Sequence, residues 1–160
     1  MNALLKNILV AISGSDISMH AAQYGIMMAK TYRCELTAVY VVDTTTLKEL
    51  LLAKIFVEEE SLEYQQSLEA NGHRYLNYVE ELAASKGLAI KKILRHGTIS
   101  TEILNTAEEI KADLIVLGGW TEDPASRDLL SRSRREVLMH AKCSVLVAKE
   151  PKIESRFKRF

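Results

Sequence analysis

Cysteine is scarce in this chain. Neither of its two cysteines, Cys34 and Cys143, belongs to a CxxC pair. Each stands at the start of an apolar run and reads as a buried small hydrophobe, with a redox or metal role as the lesser alternative. An excess of charge of one sign is missing too: 21 Lys and Arg balance 21 Asp and Glu, for a formal net charge of zero. No overall field draws such a chain to nucleic acid or to an anionic membrane, so no nucleic-acid partner and no membrane partner is expected. No run approaches the roughly 18 apolar residues that a membrane span needs. The start, "MNALLKNILVAI", lacks the long apolar region and small-residue cleavage site of a secretory signal, which makes cytoplasmic residence the expectation. Two phosphate fingerprints are also absent, GxxxxGK[ST] and GxGxxG. Internal repeats and low-complexity segments are not found.

What is there is an alternation. The 160 residues, 48% hydrophobic and 26% charged, suit one soluble domain with one sizeable core. Short β-rich runs occur at Asn7–Ile12, Glu35–Val42, Ala89–Gly97, "DLIVLGG" and Ser144–Glu150. Between them lie stretches with helical spacing. In the first, Ala21, Ala22, Gly25, Met28 and Ala29 share a face, and Asp16 or Ser18 is the expected N-cap. A long helix is expected over Val57–Ser85, closed by Gly87 in the C′ position. Gly72 is a weak point inside it, costing about 1 kcal/mol relative to Ala. "STEILNTAEEIK" is a helix with Ser100 as its expected N-cap. The last helix runs from Pro124 or Ser131 to His140. Thr44–Phe56 admits either a short helix or a mobile connection, which would close over a ligand or join a dimer surface.

Strands apolar on both faces imply a sheet covered on both sides, and strand–helix alternation implies parallel strands with right-handed crossovers. The expected fold is α/β, a doubly wound, Rossmann-like open sheet of five parallel strands with helices on both faces. Residues 1–150 form the domain. Residues 151–160, "PKIESRFKRF", form a basic C-terminal tail, solvated or docking on a partner.

Open parallel sheets bind ligands beyond the C-terminal ends of their strands, where strand order reverses. The first strand delivers "SGSD" (Ser13–Asp16) and the fourth "GGWT" (Gly118–Thr121). If those strands are neighbours, the two loops share one crevice, and N–H groups at a helix start favour an anion there. The residues alone give a nucleotide-sized crevice without a catalytic constellation.

Several segments, in order, resemble the universal stress protein family. "KNILVAISGSDISMHAAQYGIMMAK" is similar to that family's opening strand, D-G-S-like turn and helix. "AVYVVD" sits where the family often has H-V-x-D. "HGTISTEILNTAEEIKADLIVLGG" is similar to its G-x-P-x-x-x-I…A…D-L-I-V-M-G segment, and "EVLMHAKCSVLVAKE" to its V-L-x-x-A-x-C-P-V-L-V-V ending. Nucleotide-binding members carry G-x-x-G, nine residues, then G-[ST]. Aligned through "VLMHA", those positions fall on Gly118, Thr121, Ser131 and Arg132, and the family's acidic residue after the first strand falls on Ser13. The loop keeps its length and loses most of its glycines.

On that resemblance the candidate nucleotide-binding residues are Ser13, Gly14, Ser15, Val41, Gly118, Gly119, Thr121, Ser131, Arg132 and Ser133. Thr121 adopts the left-handed conformation only at a cost, and its Cβ stands where a phosphate would approach. Ser131 is a mild change. Arg127, Arg132, Arg134 and Arg135 either hold an anion by charge or form a solvated helix face with ion pairs to Glu136 or Asp128. Pro124 stiffens the loop, and Glu122 and Asp123 oppose a phosphate. Trp120 either stacks on an adenine or covers apolar surface beside the sheet. His96 and His140 read as structural.

The resemblance implies a homodimer through the last strand, Ser144–Glu150, whose exposed edge is a template for pairing. The expectation is a non-catalytic dimeric stress-response module that acts through protein partners, with weak or absent adenine nucleotide binding. No cofactor and no metal is assigned. The alternative is an ATP or AMP sensor using the Ser13 and Gly118–Arg132 crevice, with Mg if the ligand is ATP. The remote alternative is an ATP-dependent adenylating enzyme, from the faint likeness of "SGSDIS" to the S-G-G-x-D-S loop of ATP pyrophosphatases.

Overall fold

The computed structural model describes residues 3–119 and 124–160, with residues 124–131 described by their backbone alone. The strands β1 (Asn7–Ile12), β2 (Glu35–Asp43), β3 (Lys91–Gly97), β4 (Leu114–Gly118) and β5 (Ser144–Ala148) form one sheet in the order β3-β2-β1-β4-β5. Every pairing is parallel. The helices are α1 (Asp16–Tyr32), α2 (Thr44–Leu52), α3 (Glu58–Ala84), α4 (Ile99–Glu109), α5 (Pro124–His140) and α6 (Ile153–Arg159).

The apolar strands feed two cores, one on each face, as strand geometry requires of side chains that alternate. Ile8 and Val10 of β1, Leu36 and Ala38 of β2 and Val116 of β4 point to the face covered by α1, α3 and α6. Leu9, Val39, Ile115 and Leu117 point to the face covered by α4 and α5. The five-stranded doubly wound sheet expected from the alternation is therefore the fold.

Asp113 fixes the start of the central strands. Its Oδ2 accepts from the backbone N–H of Lys6 at 2.8 Å and of Asn7 at 2.9 Å. Those two donors hold the Asp113 carboxyl below the ordinary carboxylate range.

Helix ends differ from the sequence expectation in two places. Ser15 caps α1, rather than Asp16 or Ser18: its backbone is extended, and its Oγ accepts from the Ser18 N–H at 3.2 Å. Asp16 already lies in the first helical turn, where its charge suits the helix dipole. Helix α4 starts one residue before Ser100, which is buried inside its first turn. Thr98 occupies the cap position, but its hydroxyl is shared with Thr45 Oγ1 at 2.8 Å and makes no cap bond.

Helix α3 shows why Gly72 is kept. A Cβ there would lie 2.6 Å from Tyr40 Cδ1 and 2.7 Å from Leu94 Cδ1, so the missing side chain lets the helix cross close over β2 and β3. Gly87 ends the helix with φ +74°; Leu88 N–H donates to Ala83 O and Gly87 N–H to Ala84 O, the paired bonds of a Schellman motif.

The last ten residues do not form a solvated tail. They contain α6, whose Ile153 and Phe157, 1% and 4% exposed, belong to the core beneath α1. Lys86 Nζ sits 4.8 Å from the centre of the Phe157 ring. The basic groups face outward, with Arg156 paired to Glu150 and Lys158 to Glu154. Two apolar residues four apart are enough to anchor one short helix, and the density of charge around them hid that pattern.

Candidate ligand crevice

Strands β1 and β4 are neighbours, with Ile8 beside Leu114 and Val10 beside Val116. From β1 the chain turns into α1 on one face, and from β4 into α5 on the other. The reversal of strand order between them opens a crevice at the C-terminal ends. It encloses about 310 Å³.

Its floor is the ends of β1, β2 and β4. The segment Thr44–Phe56 resolves into α2 and a short connection to α3, and the first turn of α2 borders the crevice. Asp43 starts α2: Oδ1 accepts from the Thr46 N–H at 3.0 Å and Oδ2 from the Thr46 hydroxyl at 2.6 Å. The cap turns Thr46 and Leu47 into the crevice, and Tyr64 and Leu68 of α3 close the same side. Ile99 and Ile103 of α4 and Val137 of α5 complete the wall. Most of this lining is hydrocarbon.

The serines after β1 are tied into the protein's own hydrogen bonds. Ser13 Oγ and Ser15 Oγ share a hydrogen bond of 2.9 Å, and the Ser18 hydroxyl donates to Ser13 O at 2.6 Å. Ser15 Oγ is also the N-cap acceptor of α1. Arg134, a charged side chain 8% exposed, also lines the crevice. Burial pulls its guanidinium below the usual arginine range, because removing a charge from water disfavours it. Burial, followed by the neighbouring Tyr75 and Tyr64, pushes the Tyr40 phenol up, so it stays protonated.

Of the ten residues singled out in the sequence, Ser13, Ser15, Val41, Gly118 and Ser133 line the crevice. Gly14 does not: the Tyr75 hydroxyl lies 2.9 Å from where its Cβ would be. Gly119 packs against Lys149 instead, whose Cβ would meet an added Cβ at 2.9 Å. Arg132 is exposed and outside the lining, because α5 turns Ser133 and Arg134 inward at that level. Thr121, together with Trp120, Glu122 and Asp123, lies outside the described residues, as do the side chains of Arg127, Asp128 and Ser131.

Gly118 has a structural reason of its own. A Cβ there would lie 2.8 Å from the carbonyl oxygen of Ile17 in the first turn of α1. The sequence reading missed Tyr40, Leu47, Tyr64, Leu68 and Ile103 as lining residues. Nothing local marks them, since each also fits an ordinary helix or strand face. Only their convergence from β2, α2, α3 and α4 makes a wall.

Outside the crevice the remaining titratable candidates are accounted for. Burial pushes the Cys34 and Cys143 thiols up, which favours their protonated form. His96 Nε2 lies 2.7 Å from Glu69 Oε1, and His140 Nε2 lies 3.3 Å from Glu136 Oε2. Glu136 thus pairs with a histidine where the sequence suggested an arginine. Among the described residues no group of three or more His, Cys, Asp or Glu is placed to hold a metal ion. No helix among them is long and apolar enough to cross a membrane.

Comparison with known proteins agrees with this fold. A universal stress protein of Methanocaldococcus jannaschii is 36% identical over 152 residues, covering 94% of this chain and 86% of its own. The solved structure of a universal stress protein from Lactobacillus plantarum superposes with a TM-score of 0.74 at 25% identity, covering 92% of this chain and 99% of that one. A universal stress protein family member from Arabidopsis thaliana, solved with AMP bound, shares the fold with a TM-score of 0.63 at 16% identity, over 93% and 94% of the two chains. The family model described as "Universal stress protein family" matches residues 5–149. The chain belongs to the universal stress protein family.

Proposed function

We propose that this protein is a non-catalytic, dimeric stress-response module of the cytoplasm that acts through protein partners. Its crevice is a small-molecule site with little affinity for adenine nucleotides. The observation that carries this reading is the self-contained bonding at the crevice. The Ser13 and Ser15 hydroxyls bond each other, the Ser18 hydroxyl donates to the Ser13 carbonyl oxygen, and Ser15 Oγ and the Asp43 carboxylate accept from cap N–H groups. A ribose would have to displace those bonds, and a buried polar group left unpaired costs about 1–3 kcal/mol. The described lining also holds no His, Cys, Lys or Glu, and its one carboxylate is a helix cap. That offers no nucleophile with an adjacent base. Dimerisation is supported by the outer strand: β5 lies at the sheet edge with Val145, Leu146 and Val147 only half-buried, and Leu138 and Met139 are exposed just before it.

The second reading is an ATP or AMP sensor. It is favoured by the retained Gly118 beside a helix N-terminus and by the AMP bound to the Arabidopsis family member. One experiment separates the two: sedimentation equilibrium and calorimetric titration of nucleotide-stripped protein with ATP and AMP, with and without Mg. The expected result is a dimer with no saturable heat. A monomer overturns the dimeric module. Micromolar binding with a nucleotide-dependent change in hydrogen exchange puts the sensor in its place.

A further inference from the structure

Resting on the reading that the protein acts through protein partners, we infer that the corner where α2 passes into α3 is a docking surface, and that its partner is a basic protein segment carrying apolar side chains. Four large apolar residues, Leu52, Ile55, Val57 and Leu62, are each more than half exposed there. Single exposed apolar residues are ordinary, whereas a group of four around one connection points to an interaction surface. The connection is held in place. Ile55 N–H donates to Leu50 O and Lys54 N–H to Leu51 O, both at 3.0 Å, with Lys54 left-handed at φ +59°. The Phe56 ring meets Tyr64 of α3 edge-on, with 5.8 Å between ring centres. An ordered turn therefore presents these apolar groups to the outside.

Charge selects the partner. Glu49, Glu58, Glu59, Glu60 and Glu63 are exposed beside these residues in the chain, against Lys48 and Lys54. None of the five carboxylates enters an ion pair among the described residues, whereas Glu35, Glu80, Glu109 and Glu150 are each held by a lysine or arginine. Glu58, Glu59 and Glu60 suit the dipole of α3 in its first turn, but Glu49 and Glu63 lie outside that turn. Such a rim repels an anionic lipid surface and draws a segment that bears lysine or arginine. The chain's own basic segment does not fit, because Ile153 and Phe157 of α6 are buried in the core. The location fits a partner as well. Helix α2 packs on α3 and on β3, at the sheet edge opposite β5, so pairing of β5 with a second copy leaves this corner open.

The test uses the full chain and three labelled peptides: an amphipathic Leu/Lys peptide, its Leu/Glu counterpart, and a Ser/Lys peptide of the same charge. Fluorescence anisotropy should show the Leu/Lys peptide binding about tenfold or more tightly than the other two, and weakening as salt rises. Leu52→Ser combined with Ile55→Ser alters exposed side chains only, so it should leave the unfolding midpoint near the parent's and weaken binding about tenfold. Glu63→Lys should weaken it about fivefold. Glu81→Lys, the same charge change near the far end of α3, should leave it unaltered. Leu/Lys binding that is equal in the parent and both corner variants would lie elsewhere and overturn the inference, as would no binding. Assembly beyond the dimer in sedimentation, abolished by the double serine variant, would make the occupant a second copy. Binding to phosphatidylglycerol or phosphatidylcholine vesicles, lost in the same variant, would make it a lipid surface. Either result overturns the protein segment. Cross-linking in cell extract tests the partner reading apart. Partners captured equally by the parent and the double variant would keep that reading and overturn the corner. No partner captured by either would overturn both.

Discussion

Gly118→Ala separates a packing role from a ligand role at the crevice. An ideal Cβ at this position would lie 2.8 Å from the Ile17 carbonyl oxygen and 3.0 Å from its carbon. Both are backbone atoms of the first turn of α1, and no rotamer change moves them away. The strand end is equally constrained, because Gly118 pairs with Ala148 of β5 and is itself buried. Relief therefore requires α1 to shift against β4. Overpacking that moves backbone costs about 1–3 kcal/mol, and the upper half of that range applies to an obstacle that cannot rotate. Replacing Gly by Ala returns about 0.4–1 kcal/mol by restricting the unfolded chain. The net loss is about 2 kcal/mol, equivalent to a fall in Tm of roughly 4–8 °C for a domain of this size. Urea unfolding should show a lower midpoint with an unchanged slope. A Gly118→Ala protein as stable as the parent refutes the packing argument and leaves close approach of a ligand as the reason for the glycine.

The other glycines supply the contrast: at Gly25 the nearest atoms to an added Cβ are Leu36 Cδ1 at 3.5 Å and Val10 Cβ at 3.7 Å. Gly25→Ala should therefore raise the unfolding free energy read from urea denaturation by about 0.8–1 kcal/mol of helix propensity. Gly72→Ala, facing a buried ring at 2.6 Å, should lower it, by roughly 1 kcal/mol after the same gain. Phe157→Ala should cost about 3 kcal/mol in thermal or urea unfolding, whereas a residue on a solvated tail would cost nothing measurable. Asp113 gives a pH signature. Its folded pKa lies below the ordinary carboxyl value, so its stabilisation is present above that value and is lost as pH falls through the folded pKa. Asp113→Asn should therefore be less stable than the parent at neutral pH and equal to it in strong acid; a gap of the same size at both would sink the argument.

Strand positions were legible because the signal is local and repeated. The run Asn7–Ile12 matches β1 at both ends, and the doubly apolar strands alone implied a sheet covered on both faces. Gly87 was legible because glycine takes the left-handed conformation at a helix end without cost, whereas the left-handed Arg33 and Lys111 carry no such mark in the sequence. The caps were less so. Three of the four residues from Ser15 to Ser18 are able to cap, and what decides among them is where the backbone leaves the extended region, which follows from how β1 meets α1. Helix α6 was missed because its anchoring face consists of two residues in a segment dominated by charge.

The site was legible as a place and not as a surface. Strand order reversal and the two loops point to the crevice, and Ser13, Ser15 and Gly118 are there. Its chemical character comes from residues 40–68, 99–103 and 133–137, which no motif connects. Their order in the chain also misleads at α5, where Arg132 lies at the motif position but the helix turns Arg134 inward two residues later. A glycine can thus keep its place for reasons of packing, because Gly118 must clear Ile17 whatever the crevice holds. The retained Gly118 is then weak evidence for a nucleotide. The stronger evidence about the ligand is the state of the polar groups around it, and at this crevice Ser13, Ser15, Ser18 and Asp43 are already bonded within the protein.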